Sequence, residues 1–272
     1  MPELPEVETT RAGILAHLAG QHIKTLVIRN PNLRWPVPLD ISALTKGTRI
    51  ENIARRGKYL LFQLSNQGTL IWHLGMSGSM RIDTNTVPPG KHDHIDLVTR
   101  NGTTLRYNDP RRFGSLHYTE EPADTHPLLS HLGPEPLTLD FNSDYLFKRS
   151  RKRSLVIKTL IMDSKVVVGV GNIYANEALF NAGIHPLKPA GKISKLACEK
   201  LTKEIKYVLT TAIKQGGTTL RDFTNSDGKP GYFSQQLKVY GRAGEPCIVC
   251  GKSLIEKRVS QRATVYCTRC QR

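Results

Sequence analysis

Residues 247–270, CIVCGKSLIEKRVSQRATVYCTRC, decide how the chain ends. Their thiols, Cys247, Cys250, Cys267 and Cys270, form two Cys-x-x-Cys pairs with sixteen residues between them. Each pair fits a short turn and the intervening segment is long enough for a hairpin, so the thiolates can converge on one tetrahedral Zn2+. A pair of disulfides is the competing reading, which an intracellular chain has little oxidising power to form. Four thiolates leave no open position on zinc, so the expected ion is structural. Cys198 falls within an amphipathic helical pattern and is expected to pack as an apolar residue.

Upstream of the hairpin the apolar period is helical. Residues 144–151, 154–162 and 173–182 read as helices, followed by a long amphipathic segment whose face carries Leu196, Leu201, Ile205, Val208 and Ala212. Before residue 120 the pattern changes to short runs of β-branched and aromatic residues, at 25–28, 59–64, 69–74, 95–99 and 104–107, with turn residues between them. One helix precedes these runs: Val7, Ile14, Leu15 and Leu18 share a face between Pro5 and Gly20. Residues 120–136 collect acidic and proline residues, as a linker does. The expected fold is α+β: an N-terminal antiparallel β-sandwich with an N-terminal helix, a helical middle, and a C-terminal zinc-finger β-hairpin. The expected boundaries are 1–133, 134–236 and 237–272, with a cleft between two lobes.

Thirty-nine Lys and Arg face twenty-three Asp and Glu, a formal charge of +16. An excess this large favours a polyanion, and nucleic acid over a membrane because no basic amphipathic helix stands out. Such binding weakens steeply with salt. The first twenty residues lack a basic segment followed by an apolar run, and no stretch is long enough to span a bilayer, so a soluble, cytoplasmic protein is expected.

Chemistry is suggested first by Pro2. A small residue after Met1 normally permits its removal, which exposes a secondary amine beside Glu3 and Glu6; α-amino groups as a class have a reference pKa of about 7.7 to 8.0, so an appreciable fraction is unprotonated near neutrality. Such an amine attacking a sugar C1′ gives an iminium ion that draws electrons from C2′. A retained Met1 would lock the nitrogen in an amide and abolish this. The plain alternative is a proline run that starts a helix. Gly169, Val170, Gly171 and Asn172 lead into a helix in a way that suits a phosphate, although Asn is also an ordinary N-cap. The turn Asn108, Asp109, Pro110, Arg111, Arg112, Phe113, Gly114 carries two guanidiniums and a ring. Phe113, with Met76, is either a wedge for a base stack or a core residue. Lys58 is a candidate to bind phosphate or shuttle a proton, or a solvated cation beside a strand. Arg262, on a hairpin that the metal would stiffen, either reaches into DNA or is a plain surface arginine.

Taken together, these motifs resemble the bacterial formamidopyrimidine-DNA glycosylases. The likeness runs end to end, through residues 1–9 (MPELPEVET), 72–78 (WHLGMSG), 108–114 (NDPRRFG), 166–177 (VVVGVGNIYANE), 216–223 (GGTTLRDF), 227–233 (DGKPGYF) and the four cysteines. The resemblance implies a bifunctional DNA glycosylase and AP lyase for oxidised purines, acting on damaged duplex DNA as a monomer. It implies Pro2 as the Schiff-base nucleophile, Glu3 as general acid, Lys58 as proton donor in β-elimination and Arg262 in δ-elimination. It implies DNA contacts at His73, His92, Arg111 and Arg153, a wedge of Met76, Arg111 and Phe113, and Lys158 and Asn172 near the lesion and its phosphates. The helices around Gly169 are similar to a helix-two-turns-helix element, and residues 217–223 to a loop that closes over the flipped base. The sister endonuclease VIII group, directed at oxidised pyrimidines, shares Pro2, Glu3 and the zinc ribbon. A non-catalytic zinc-containing nucleic-acid-binding protein would account for the charge and the ribbon but not for Pro2 with Glu3.

Overall fold

The computed structural model describes residues 2–83, 88–217 and 236–272. Helix α1 (Leu4–Leu18) starts where its sequence directs: proline occupies the first turn, and Glu3 and Glu6 form a reciprocal capping box. Gly20, at φ +78°, follows its end. Val7, Ile14 and Leu18 turn inward and are fully buried.

Eight strands follow among the described residues of this half: β1 (Ile23–Ile28), β2 (Ile50–Arg56), β3 (Tyr59–Leu64), β4 (Thr69–His73), β5 (Ser79–Asp83), β6 (Asp93–Thr99), β7 (Thr104–Asn108) and β8 (Ser115–Thr119). A short helix, α2 (Ile41–Thr45), precedes β2. The strands form two four-stranded antiparallel sheets, ordered β1-β6-β7-β5 and β2-β3-β4-β8. Alternation places Leu60 and Phe62 of β3, Ile95 and Leu97 of β6, and Leu105 and Tyr107 of β7 in one core with Trp72 and the apolar face of α1. The sandwich expected from the alternating runs is therefore present.

On the first sheet the residues between those core positions are ionic and still buried. Arg106 donates to Asp96 at 2.9 and 3.0 Å and to Asp83 at 2.9 Å. Arg81 forms a two-pronged pair with Asp93 at 3.0 and 2.7 Å. Burial opposes ionisation of Asp93, yet hydrogen bonds from Arg81, Asn108 and the Gly90 amide bring its carboxyl down to about 2.

The chain divides into two compact units. The first runs to residue 130 and regains 215–217, and the second holds 131–214 and 236–272. The second contains α3 (Ser143–Ser150), α4 (Ile157–Met162), α5 (Asn172–Asn181), α6 (Lys195–Lys214) and the hairpin β9 (Ile255–Val259) with β10 (Arg262–Tyr266). Two sequence expectations need correction. The helix expected from residue 154 begins at Ile157, because Leu155 and Val156 pair as extended chain with residues 188–190, the Ala190 amide donating to the Leu155 carbonyl at 2.9 Å. Leu196 is 62% exposed while Leu201, Ile205, Val208 and Ala212 are buried. Five residues before Leu201, it lies about 140° round the helix. Cys198 is fully buried on α6, as expected.

The sign of the Asp93 shift gives an acid-stability prediction. Its carboxyl titrates at about 2 in the folded chain against an ordinary 3.8, so its contribution is complete above about 4 and disappears as pH falls toward 2. Denaturant unfolding of the wild type is expected to weaken over that interval, and Asp93→Asn is expected to be less stable at neutral pH with a flatter pH dependence below 4. Parallel pH profiles for the two would contradict the assignment.

Candidate active site and zinc ribbon

Pro2 is buried at the head of α1. Glu3 and Glu6 are each 2% exposed, and the Glu3 amide donates to Glu6 Oε2 at 2.8 Å. The first turn thus holds the residue after the proline rigidly, with two carboxylates at the positive end of a helix. Gly217, at φ +82°, passes so close to Glu6 that an added Cβ would sit 3.2 Å from Oε1. Gly217 is the only part of the 217–223 motif among the described residues. Residues 218–223 and the 227–233 motif lie outside them.

One turn along α1, Glu8 receives Arg11 at 2.6 Å and Arg55 at 2.9 Å. Burial works against its ionisation, but the two guanidiniums hold its carboxyl below the usual range. Arg55 also donates to the Gly57 carbonyl at 3.1 Å, and Arg11 to the Ile53 carbonyl at 3.3 Å. Gly57 takes φ +56° in the β2–β3 turn, so this chain of contacts ties the turn bearing Lys58 to α1.

Across the sheet, Tyr59 pairs in register with His73, their rings 4.8 Å apart. Burial first, then the positive charges of Lys58 and Arg34, push His73 down to about 4. It is a neutral imidazole near pH 7, and because Nδ1 accepts from the Gly75 amide at 3.0 Å, Nε2 carries the hydrogen. Arg34 is an addition that sequence reading missed. Its amide donates to the Gly114 carbonyl at 3.0 Å and its guanidinium lies 4.8 Å from the Trp35 ring.

Two loops interlock beside His73. Asp109 is fully buried and accepts from Ser77 Oγ at 2.8 Å, Tyr107 Oη at 3.0 Å and the Gly114 amide at 2.8 Å. Its carbonyl accepts from His94 Nε2 at 2.8 Å, and its amide donates to the His92 carbonyl at 2.9 Å. The loop of Met76 and the turn of Arg111 and Phe113 are therefore built around one carboxylate. A Cβ on Gly75 would strike the backbone of Phe113 and Gly114. Phe113 remains 43% exposed, with the Arg111 guanidinium 4.9 Å from its ring centre. Arg112 is held at φ +56°, uncommon for a non-glycine residue, in the turn closed by its amide on the Asp109 carbonyl at 3.2 Å. The structure thus brings Met76, His92, Arg111 and Phe113 together.

In the second unit α4, two turns and α5 run in succession, with Gly169 at φ +81° and Gly171 as the N-cap of α5. Arg153 is exposed before α4. Arg262 is the first residue of β10, following Ser260 and Gln261 at φ +46° and +60°, the left-handed pair that makes a two-residue hairpin turn. Lys158 is 1% exposed and points its ammonium into the protein, against β10. Asn172 also reaches β10, Nδ2 donating to the Ala263 carbonyl at 3.0 Å.

The sulfurs of Cys247, Cys250, Cys267 and Cys270 all lie within 4.8 Å of one another. Cys247 and Cys270 are 3.8 Å apart and Cys250 and Cys267 3.5 Å. A disulfide needs about 2.05 Å. Sulfurs about 2.3 Å from a tetrahedral zinc are spaced much as these are. The donor set fits one structural zinc. Among the described residues no helix is long and apolar enough to cross a membrane.

Three family models cover this architecture in order. The formamidopyrimidine-DNA glycosylase N-terminal domain matches residues 1–116, the formamidopyrimidine-DNA glycosylase H2TH domain 132–224, and a zinc finger found in FPG and IleRS 244–272. Sandwich, helix-two-turns-helix element and four-cysteine ribbon together define a DNA-glycosylase class. Over 272 residues and the full length of both chains, the sequence is 60% identical to the formamidopyrimidine-DNA glycosylase of Saccharophagus degradans. Two Lactococcus lactis Fpg structures superpose closely. The wild-type enzyme with DNA containing N7-benzyl-Fapy-dG gives a TM-score of 0.91 at 34% identity, covering 100% of each chain. The complex with DNA containing an abasic site gives 0.90 at 33%, covering 99% of each. The chain belongs to the formamidopyrimidine-DNA glycosylase family.

The sulfur geometry predicts one zinc per purified chain by metal analysis. Cys250→Ser is expected to lower that content and the thermal stability of the second unit. Full stability without bound metal would contradict the structural role.

Proposed function

We propose that this chain removes oxidised purines, 8-oxoguanine and formamidopyrimidines, from duplex DNA and then cleaves the strand, working as a monomer in the bacterial cytosol. The observation that carries the reading is Pro2 set directly before a buried Glu3–Glu6 capping pair, in a chain related to these glycosylases over its whole length. With Met1 removed, the Pro2 nitrogen lone pair bonds to C1′. As the C1′–base bond breaks with its electrons on the base, the N–H proton of the ammonium formed at Pro2 passes to the departing base, leaving a neutral tertiary amine on C1′. Glu3 then supplies a proton to O4′ as the C1′–O4′ bond opens, leaving a cationic iminium. Because the nitrogen is secondary, that charge cannot be lost by deprotonation to an imine, and the C2′ proton becomes acidic.

Loss of that proton breaks the C3′–O bond, and the departing 3′ phosphate takes a proton from the Lys58 side. Loss of the C4′ proton then breaks the C5′–O bond with proton transfer from Arg262 to the 5′ phosphate. Water then adds to the iminium and the C1′–N bond breaks, releasing the sugar fragment as an aldehyde and freeing Pro2, so that a one-nucleotide gap remains. Met76, Arg111 and Phe113 fill the space left in the stack, because an extruded base leaves a hole costing a few kcal/mol of stacking. His73 binds as a neutral donor, while His92, Arg153 and Asn172 bind the backbone.

Borohydride added during incubation with an 8-oxoguanine duplex is expected to attach the chain covalently to DNA, more efficiently than with a duplex carrying an oxidised pyrimidine. Tight binding without attachment would mark a passive binder, and the reverse preference an endonuclease VIII-like specificity. Phe113→Ala is expected to slow excision about tenfold while changing nonspecific affinity little. Equal losses in both would argue against the wedge.

A further inference from the structure

Four consecutive residues of β10 are each held by side chains of the helical layer or by a bond that relays from them. Lys158 Nζ of α4 donates to the Ala263 carbonyl at 2.8 Å and to Thr264 Oγ1 at 2.7 Å. Thr264 Oγ1, fully buried with its residue, in turn donates to the Arg262 carbonyl at 3.2 Å. Asn172 Nδ2 of α5 adds a second bond to the Ala263 carbonyl at 3.0 Å. One turn on, Asn176 Oδ1 accepts from the Val265 amide at 3.0 Å. An ammonium that is 1% exposed has been taken out of water, and such a group stays charged only where acceptors replace its hydration. Here those acceptors belong to the strand that starts with Arg262.

Packing alone does not fix that end of the hairpin. A cavity of about 260 Å³ lies between α4 and the hairpin tip, lined by Leu155, Lys158, Met162, Val259, Ser260 and Arg262 among others. Apolar contact is therefore missing on the side of the tip that faces α4, and two of its residues sit at left-handed φ. Beside the Arg262–Val259 pairing of the hairpin and a Thr159 Oγ1–Ser260 Oγ contact at 3.3 Å at the tip, the polar ties from Lys158 are those that hold the start of β10 itself to α4.

We propose that Lys158 is a positioning residue for Arg262, acting through Thr264 and the Ala263 carbonyl rather than by touching DNA. This rests on the reading of Arg262 as the proton donor of δ-elimination. The Lys158–Thr264–Arg262 relay fixes the backbone from which the guanidinium reaches the 5′ phosphate. Losing it slows δ-elimination and leaves the earlier steps at Pro2 intact, since a displacement on the order of 1 Å is enough to cost a proton transfer much of its rate.

The test is single-turnover cleavage of an abasic-site duplex by full-length, zinc-loaded Lys158→Met, Thr264→Val and Arg262→Gln, with the β-elimination product separated from the β,δ product. Borohydride trapping, zinc content and salt-dependent DNA affinity are measured alongside. Lys158→Met and Thr264→Val are expected to lower the δ-to-β rate ratio about tenfold, as Arg262→Gln does, with trapping and zinc unchanged. Thr264→Val keeps the side-chain shape and removes only the hydroxyl, so it decides the matter if Lys158→Met loses zinc or fails to fold. An unchanged ratio in the relay variants, with a shifted one in Arg262→Gln, overturns the positioning role. So does Lys158→Met that loses affinity and trapping while keeping its ratio, the signature of direct DNA contact. If Arg262→Gln leaves the ratio unchanged, the assignment of Arg262 fails and the relay with it. Trapping at Pro2 is then judged separately.

Discussion

The first turn of α1 is the constraint from which the site is built. A helix that starts at Leu4 must satisfy its leading amides, and the Glu3–Glu6 pair does this inside the protein, where both carboxylates are almost wholly removed from solvent. The same pairing that stabilises the helix therefore fixes Pro2 against a pair of acids. Because Val7, Ile14 and Leu18 lock the helix into the sandwich core, the nitrogen is referenced to a rigid body. Glu8 extends that reference to the Lys58 turn through Arg55 and Gly57.

Charge is partitioned accordingly. Asp83, Asp93 and Asp96 pair with Arg29, Arg81 and Arg106 on the sheet. Among the described residues no ion pair engages Arg111, Arg112, Arg153 or Arg262. The acids are thus committed to architecture, while the cations at loop tips stay available to a polyanion. Within each unit the surplus of positive charge is thus concentrated on loop and turn residues.

Much of this was legible in the sequence because it is local. Cysteine spacing, alternating strand runs and the proline-to-glycine span of α1 each carry their signal within a few residues. What could not be read depends on partners distant in the chain. Glu8 meets Arg55 across 47 residues, and Lys158 meets Ala263 across 105. Lys158 has the sequence look of a surface cation before a phosphate loop, yet its ammonium faces the ribbon. Asp109 reads as an ordinary turn residue before Pro110, and only the return of Ser77, Tyr107 and Gly114 makes it a hub. A proline after it, which excludes a helix, was the one available hint.

The proposed activity turns on a covalent bond at the Pro2 nitrogen once Met1 is removed. Peptide mass mapping after borohydride reduction with abasic-site DNA tests this most directly. A sugar-derived mass on the peptide that begins at Pro2, localised to that residue by fragmentation, is the predicted result. The same mass on a lysine-bearing peptide, with the Pro2 peptide unmodified and Met1 absent, would contradict it.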